Sequence, residues 1–65
     1  MAKWRVRGYQ LFQWKGDHGQ HVHVYKDRAF IGRYDYEKHE WLEGPYRDAP
    51  GARRAIRDWL EIQGL

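Results

Sequence analysis

The sequence predicts an α+β domain: a three- to four-stranded antiparallel sheet packed against one C-terminal helix, in two layers. Three observations predict it. Apolar and polar residues alternate through residues 3–43, turn-forming residues interrupt that alternation, and from residue 48 onward the apolar spacing changes to a helical period. Residues 1–65 read as a single small domain, because no repeat, linker or low-complexity stretch divides them.

Residues 3–14 read as the first strand. Trp4 and Val6 alternate with Lys3, Arg5 and Arg7, and the phase then changes at Gly8, since Tyr9 and Leu11 fall at odd positions. A glycine at a phase change suggests a bulge or bend. Lys15-Gly16-Asp17-His18-Gly19 has the composition of a turn or loop. Residues 20–26 and 29–35 form the next two strands, joined by Asp27-Arg28 as a two-residue turn. That register sets Val24 opposite Ile31 and His23 opposite Gly32. It collects Val22, Val24, Ala29 and Ile31 on one face, with His21, His23, Tyr25, Phe30 and Tyr34 on the other. Residues 40–43 add a short strand before the Gly44-Pro45 turn.

The helix has its signals in order. Asp48 can cap it, Pro50 is tolerated in its first turn, and Gly64 stops it. Ala52, Ile56, Trp59 and Leu60 follow the i, i+4, i+7, i+8 spacing of a helix lying on a sheet.

Composition narrows the function classes. Cysteine is absent, which removes disulfides, thiolate metal sites and a cysteine nucleophile. A chain this short buries only about 60% of the surface its unfolded form exposes. Its remaining staples are a histidine–carboxylate metal site, a partner subunit, or the large rings of its eleven aromatic residues. No apolar run approaches the roughly 18 residues of a membrane span, and Met1-Ala2-Lys3-Trp4-Arg5 lacks the apolar stretch of a signal peptide. The expectation is a cytoplasmic protein with no membrane partner. The net charge of +3 is segregated. Residues 1–34 are strongly basic and residues 35–48 acidic, a distribution that suits an anionic partner such as nucleic acid or an ordinary charged surface.

Chemistry concentrates on His21-Val22-His23-Val24. Residues two apart on a strand share a face, with Cβ atoms about 7 Å apart. Three readings compete. As metal ligands, His18, His21 and His23 would converge, with Asp17, Asp35 or His39 as a further candidate, but only the pair has ligand-like spacing. As catalytic groups, His23 and His21 would transfer protons near neutral pH. Cleavage of RNA by its own 2′-hydroxyl needs only a base, an acid and positive charge around the phosphate, with no cofactor. Lys26, Arg33 or the helix arginines could supply that charge. As structural groups, the two rings would simply pack among Tyr25, Phe30 and Tyr34.

The helix carries a second signal. Arg53, Arg54 and Arg57 lie in its first half, where cations oppose the macrodipole. The placement suits an anion-binding surface, with Arg53 and Arg57 on phosphate. The alternative is i, i+4 pairing of Arg54 with Asp58 and of Arg57 with Glu61, which leaves Arg53 facing Arg57.

At these residues the chain resembles the domain of unknown function 4160 family of small bacterial proteins. The resemblance rests on Gly8-Tyr9-Gln10-Leu11-Phe12-Gln13-Trp14, Gly16-Asp17-His18, His21-Val22-His23-Val24-Tyr25 and Trp41-Leu42-Glu43-Gly44 with an arginine-rich helix, spanning about residues 8–62. Family members often carry two prolines before the first histidine of the pair, where Gly19-Gln20 stand here. The resemblance implies a toxin-like component of a mobile or toxin–antitoxin-type gene pair, and so an antitoxin-like protein partner. A looser similarity is to the HicA-type mRNA interferases, through Lys15-Gly16-Asp17-His18 and Pro50-Gly51-Ala52-Arg53-Arg54-Ala55-Ile56. The N-terminal helix of that family has no counterpart in residues 3–14.

The leading expectation is a toxin-like domain that engages RNA, as a metal-independent endoribonuclease centred on His23 and His21, with Arg53, Arg57, Lys26 and Arg33 binding nucleic acid. The competing classes are a non-enzymatic interaction module, as a homodimer or with an antitoxin-like protein, and a metal-binding domain using His18, His21 and His23.

Overall fold

A hairpin stands where the phase changes at Gly8. In the computed structural model, which describes residues 2–14 and 20–64, Ala2–Val6 (β1) and Tyr9–Gln13 (β2) are separate strands joined by Arg7 and Gly8. Both turn residues have positive φ, 54° and 82°, the conformation of a tight turn that matches strand twist. The expected single strand over 3–14 is therefore corrected to two. A two-residue turn pairs Val6 with Tyr9 and Trp4 with Leu11, so even and odd apolar positions reach the same face.

His21–Lys26 (β3), Ala29–Asp35 (β4) and Glu40–Glu43 (β5) complete a five-stranded antiparallel sheet in the order β1-β2-β3-β4-β5. The strand number exceeds the expected three or four by this hairpin, and the two-layer α+β class holds. Asp27 and Arg28 form the second tight turn, again with positive φ at both residues.

The β3–β4 register departs from expectation through a bulge. Tyr25 pairs with Phe30, but Val24 pairs with Gly32, so Ile31 is the extra residue. From there every pairing shifts by one: His23 faces Arg33, Val22 faces Tyr34 and His21 faces Asp35. Tyr34 consequently moves from the histidine face to the core, where it is fully buried. A second bulge, between Arg33 and Tyr34 against β5, pairs Tyr34 with Trp41.

The helix Ala49–Gln63 (α1) covers the core face. Ala52, Ala55, Ile56 and Trp59 are buried against Leu11, Val22, Val24, Ile31 and Tyr34. Leu60, the last residue of the expected stripe, packs at the margin. Trp59 is the centre of this layer, with its ring edge-on to Trp4 at 5.1 Å and to Tyr36 at 5.3 Å. Such ring pairs contribute about 0.5–1.5 kcal/mol each beyond the area they bury. Gly64 ends the helix in the left-handed conformation, its N–H donating to the Glu61 carbonyl.

Asp48 occupies the N-cap position but does not cap with its side chain. Its carboxylate instead accepts a hydrogen bond from the Tyr9 hydroxyl and lies 3.5 Å from the Lys26 ammonium. A Cβ at Gly51 would collide with both that hydroxyl and that carboxylate, so glycine in the first helical turn is what lets the helix start against β2. No helix among the described residues is long and apolar enough to cross a membrane.

Gly32 is the other glycine the fold requires. A Cβ there would lie 2.8 Å from the Trp41 ring and closer still to the Glu43 carbonyl oxygen. Gly32→Ala is therefore expected to lower stability by about 1–3 kcal/mol through overpacking, measured by urea unfolding. A variant as stable as the wild type would show that the close approach of β4 to Trp41 is not needed.

Candidate nucleic-acid interface

The face of the sheet turned away from α1 is built by three rows of directly paired residues. One crosses all five strands: Lys3, Phe12, His23, Arg33 and Glu43. A second runs Arg5, Gln10, Tyr25 and Phe30, and a third His21, Asp35 and Glu40. Direct cross-strand partners have Cβ atoms about 4.5–5.5 Å apart, so each row is a set of touching or nearly touching side chains.

The two histidines share this face, as their spacing requires, but their neighbours differ from expectation. His23 sits beside Arg33 and not beneath open space at Gly32, because the Ile31 bulge moves Gly32 onto the core face. Its ring lies edge-on to Trp14 at 6.0 Å and tilted against Phe30 at 6.2 Å. Phe12 contacts both Trp14 and Tyr25, Tyr25 contacts Phe30, and Phe30 contacts Tyr46. The result is a continuous aromatic patch around His23. Trp14 is 45% exposed, so this indole is offered to solvent and not to the core.

Arg33 is half-buried in the middle of the face. Its Nε is shielded from solvent and finds no hydrogen-bond acceptor among the described residues. Beside the aromatic patch, Arg5, Gln10, Phe12, Trp14, Tyr25, Asp27 and Arg28 line an open hollow of about 590 Å³.

His21 has a different environment. Its Nε2 lies 3.9 Å from the Asp35 carboxylate, an ion-pair distance only when the ring is protonated. Asp35 is almost fully buried, and one of its oxygens accepts the backbone N–H groups of Glu37 and Lys38, both at 3.0 Å. The Lys38 N–H, first, holds its carboxyl below the usual value of 3.8 against the opposing effect of burial. The Glu37 N–H and the charges of His21 and Lys38 act in the same direction. At the far margin the Tyr46 hydroxyl donates to Glu43, and desolvation together with that carboxylate raises the phenol above its ordinary value.

The expected nucleic-acid-binding residues are not brought together. Arg33 alone joins the histidines. Lys26 ends β3 on the helix side, paired with Asp48 and 4.7 Å from the Tyr9 ring centroid. Arg53 and Arg57 belong to α1, in the other layer of the molecule. Nor do the i, i+4 pairs form: Asp58 binds Arg7 at 2.8 Å and lies 3.7 Å from Arg57, its neighbour in sequence. His18 and Asp17 lie outside the described residues. Among the described residues no three His, Cys, Asp or Glu side chains could hold a metal ion together.

Reading the sequence missed Phe12, Trp14 and Tyr46 as one surface with Tyr25 and Phe30, and missed Lys3 and Arg5 in the same rows. Parity contained one signal: Ile31 and Tyr34 are both core-sized and apolar, and only an inserted residue puts both inside. Comparison with family models, curated proteins and solved structures gives no match for this chain.

The Asp35 geometry sets a pH dependence. A carboxyl whose folded-state value is lowered contributes stability above its unfolded value, and that contribution is lost as pH falls through the folded value. Asp35→Asn should therefore melt below the wild type at pH 7. The gap should close as the pH falls from 3.8 through the lower folded-state value, beneath which the carboxylate is protonated in both states. Thermal melts across that range measure it, and a gap independent of pH would mean the charge of Asp35 is irrelevant.

Proposed function

We propose that the outer face of the sheet engages single-stranded RNA, in a toxin-like role in the bacterial cytoplasm, with His23 and His21 as its proton-transfer groups. The observation that carries this reading is the row Phe12–His23–Arg33–Glu43 set inside a continuous aromatic patch. Unpaired bases stack on aromatic rings, and each stacked base contributes about 1–3 kcal/mol. Phe12, Trp14, Tyr25 and Phe30 offer such rings within one surface. Arg33 supplies a charged donor beside His23, and Lys3, Arg5 and Arg28 add positive charge along the β1–β2 side.

Cleavage within this arrangement needs no metal. One imidazole takes the proton from the 2′-hydroxyl as that oxygen attacks phosphorus, and the other gives a proton to the departing 5′ oxygen. Arg33 stabilises the charge that grows on the phosphoryl oxygens. Asp35, 3.9 Å from His21 Nε2, orients that ring, and we assign His21 the acid role and His23 the base role. The resemblance to a toxin-like family agrees with this reading and adds an antitoxin-like protein as a partner.

A second reading rests on charge. Lys3 and Arg5 mark the β1 side of the face, Glu40 and Glu43 the β5 side. Two copies set face to face about an axis along the strands would place each basic margin over the other's acidic margin, with the aromatic patches between them. The face would then be a homodimer interface with structural histidines.

The measurements separate the two. Oligouridylate binding should weaken as salt rises and fall about 5- to 100-fold in Phe12→Ala or Tyr25→Ala. His23→Gln should keep binding while cleavage falls about 10²–10⁴-fold. Binding indifferent to the aromatic substitutions would overturn the RNA reading. Sedimentation showing a stable dimer, broken by Lys3→Glu with Arg5→Glu, would establish the second.

A further inference from the structure

We propose that the cleft between α1 and the β4–β5 turn is a second site, separate from the outer face, which binds a phosphate group. The cleft has a volume of about 250 Å³ and is lined by Tyr34, His39, Arg53, Arg54, Ile56 and Arg57, with Leu60 at its end. No carboxylate among the described residues lines it, although Asp58 lies 3.7 Å from the Arg57 Nε. Three arginines and a histidine thus line the cleft together with Tyr34, Ile56 and Leu60.

The cations differ in what holds them. Arg53 lies over the buried Tyr34 ring, 5.3 Å from its centroid, so this side chain is already ordered before any ligand arrives. His39 is fixed by the tight turn that ends in its own left-handed backbone, φ 56°. Arg54 loses its natural i+4 partner, because Asp58 forms its 2.8 Å ion pair with Arg7 on the β1–β2 turn. Arg53 and Arg57 stand four residues apart on the helix, where like charges repel.

Arg53 and Arg54 have no carboxylate partner among the described residues, Arg57 shares Asp58 with Arg7, and an anion in the cleft supplies the missing negative charge. The donor chemistry selects phosphate over a single carboxylate. Guanidinium forks match the paired oxygens of a phosphate, and three of them around one cleft satisfy more acceptors than a carboxylate carries. A nucleic-acid strand and a free polyphosphate compound present the same group, and the site's chemistry is the same for both.

The test uses the whole chain, with tripolyphosphate and a 5′-phosphorylated oligouridylate as probes at about 50 mM salt. Tripolyphosphate should shift the NMR signals of Arg53, Arg54, Arg57 and His39 and leave those of Phe12 and His23 unmoved. Arg53→Gln with Arg57→Gln should weaken its binding at least about tenfold, with an unchanged urea midpoint showing that the fold is intact. If oligouridylate displaces tripolyphosphate, the natural source is a nucleic-acid strand; if both bind at once, it is a free phosphate compound. Undiminished affinity in the double variant, or shifts centred on Arg33, overturns the proposal. Should the double variant fail to fold, Arg57→Lys replaces it, since lysine keeps the charge but loses the fork, and full affinity in that variant also counts against the site. Oligouridylate binding through the outer face is read separately by the Phe12 and His23 variants.

Discussion

The extra residue at Ile31 is the constraint on which both faces of the sheet depend. Before it, β4 alternates with Phe30 outward; after it, Arg33 points outward and Tyr34 inward. Without the bulge Tyr34 would leave the core and Arg33 would leave His23. The bulge needs Gly32, because the Glu43 carbonyl and the Trp41 ring occupy the space of a side chain there. Tyr46 N–H donates to the Ile31 carbonyl at 2.9 Å, which gives the bulged backbone a partner and holds the segment after β5 against the aromatic patch. Local backbone irregularity thus produces the arrangement of functional groups, as bulges beside binding sites commonly do.

Acidic groups decide which cations are available to a ligand. Asp48 engages Tyr9 and Lys26, Asp58 engages Arg7, and Asp35 turns inward to backbone N–H groups. Arg33 on the sheet and Arg53 and Arg54 on the helix have no such carboxylate among the described residues. Pairing with carboxylates therefore removes Arg7 and Lys26 from the cations free to meet a ligand. Net charge alone says nothing of this, since Lys26 and Arg53 count equally in the sum and differ wholly in what holds them.

Much of the fold was legible because it depends on periodicity. Alternation revealed the strands, the Ala52, Ile56 and Trp59 spacing revealed the buried side of the helix, and the His21–Val22–His23 parity put two imidazoles on one surface. What could not be read was anything that depends on a single inserted residue or on contacts between distant elements. Gly8 looked like a bend and is a complete reversal, because a tight turn and a bulge share the same phase change. Ile31 looked like an ordinary core position. Arg33 next to His23, Phe12 next to both, and His39 next to Arg53 follow only once register and helix placement are known.

The two candidate sites differ in how their geometry is held, and this bears on what each can recognise. Phe12, His23, Arg33 and Glu43 are set by backbone pairing across four adjacent strands, so their spacing varies little and their side chains are half-buried by one another or at the margin. A surface of that kind suits fixed-distance chemistry, in which a base, a phosphate and a proton-transfer group must meet together. Arg53, Arg54 and Arg57 reach their cleft through long side chains, of which only Arg53 is ordered by an aromatic neighbour. Such a site tolerates variation in its ligand and responds mainly to charge. Specificity, on this argument, belongs to the sheet, and the helix contributes affinity that salt can remove.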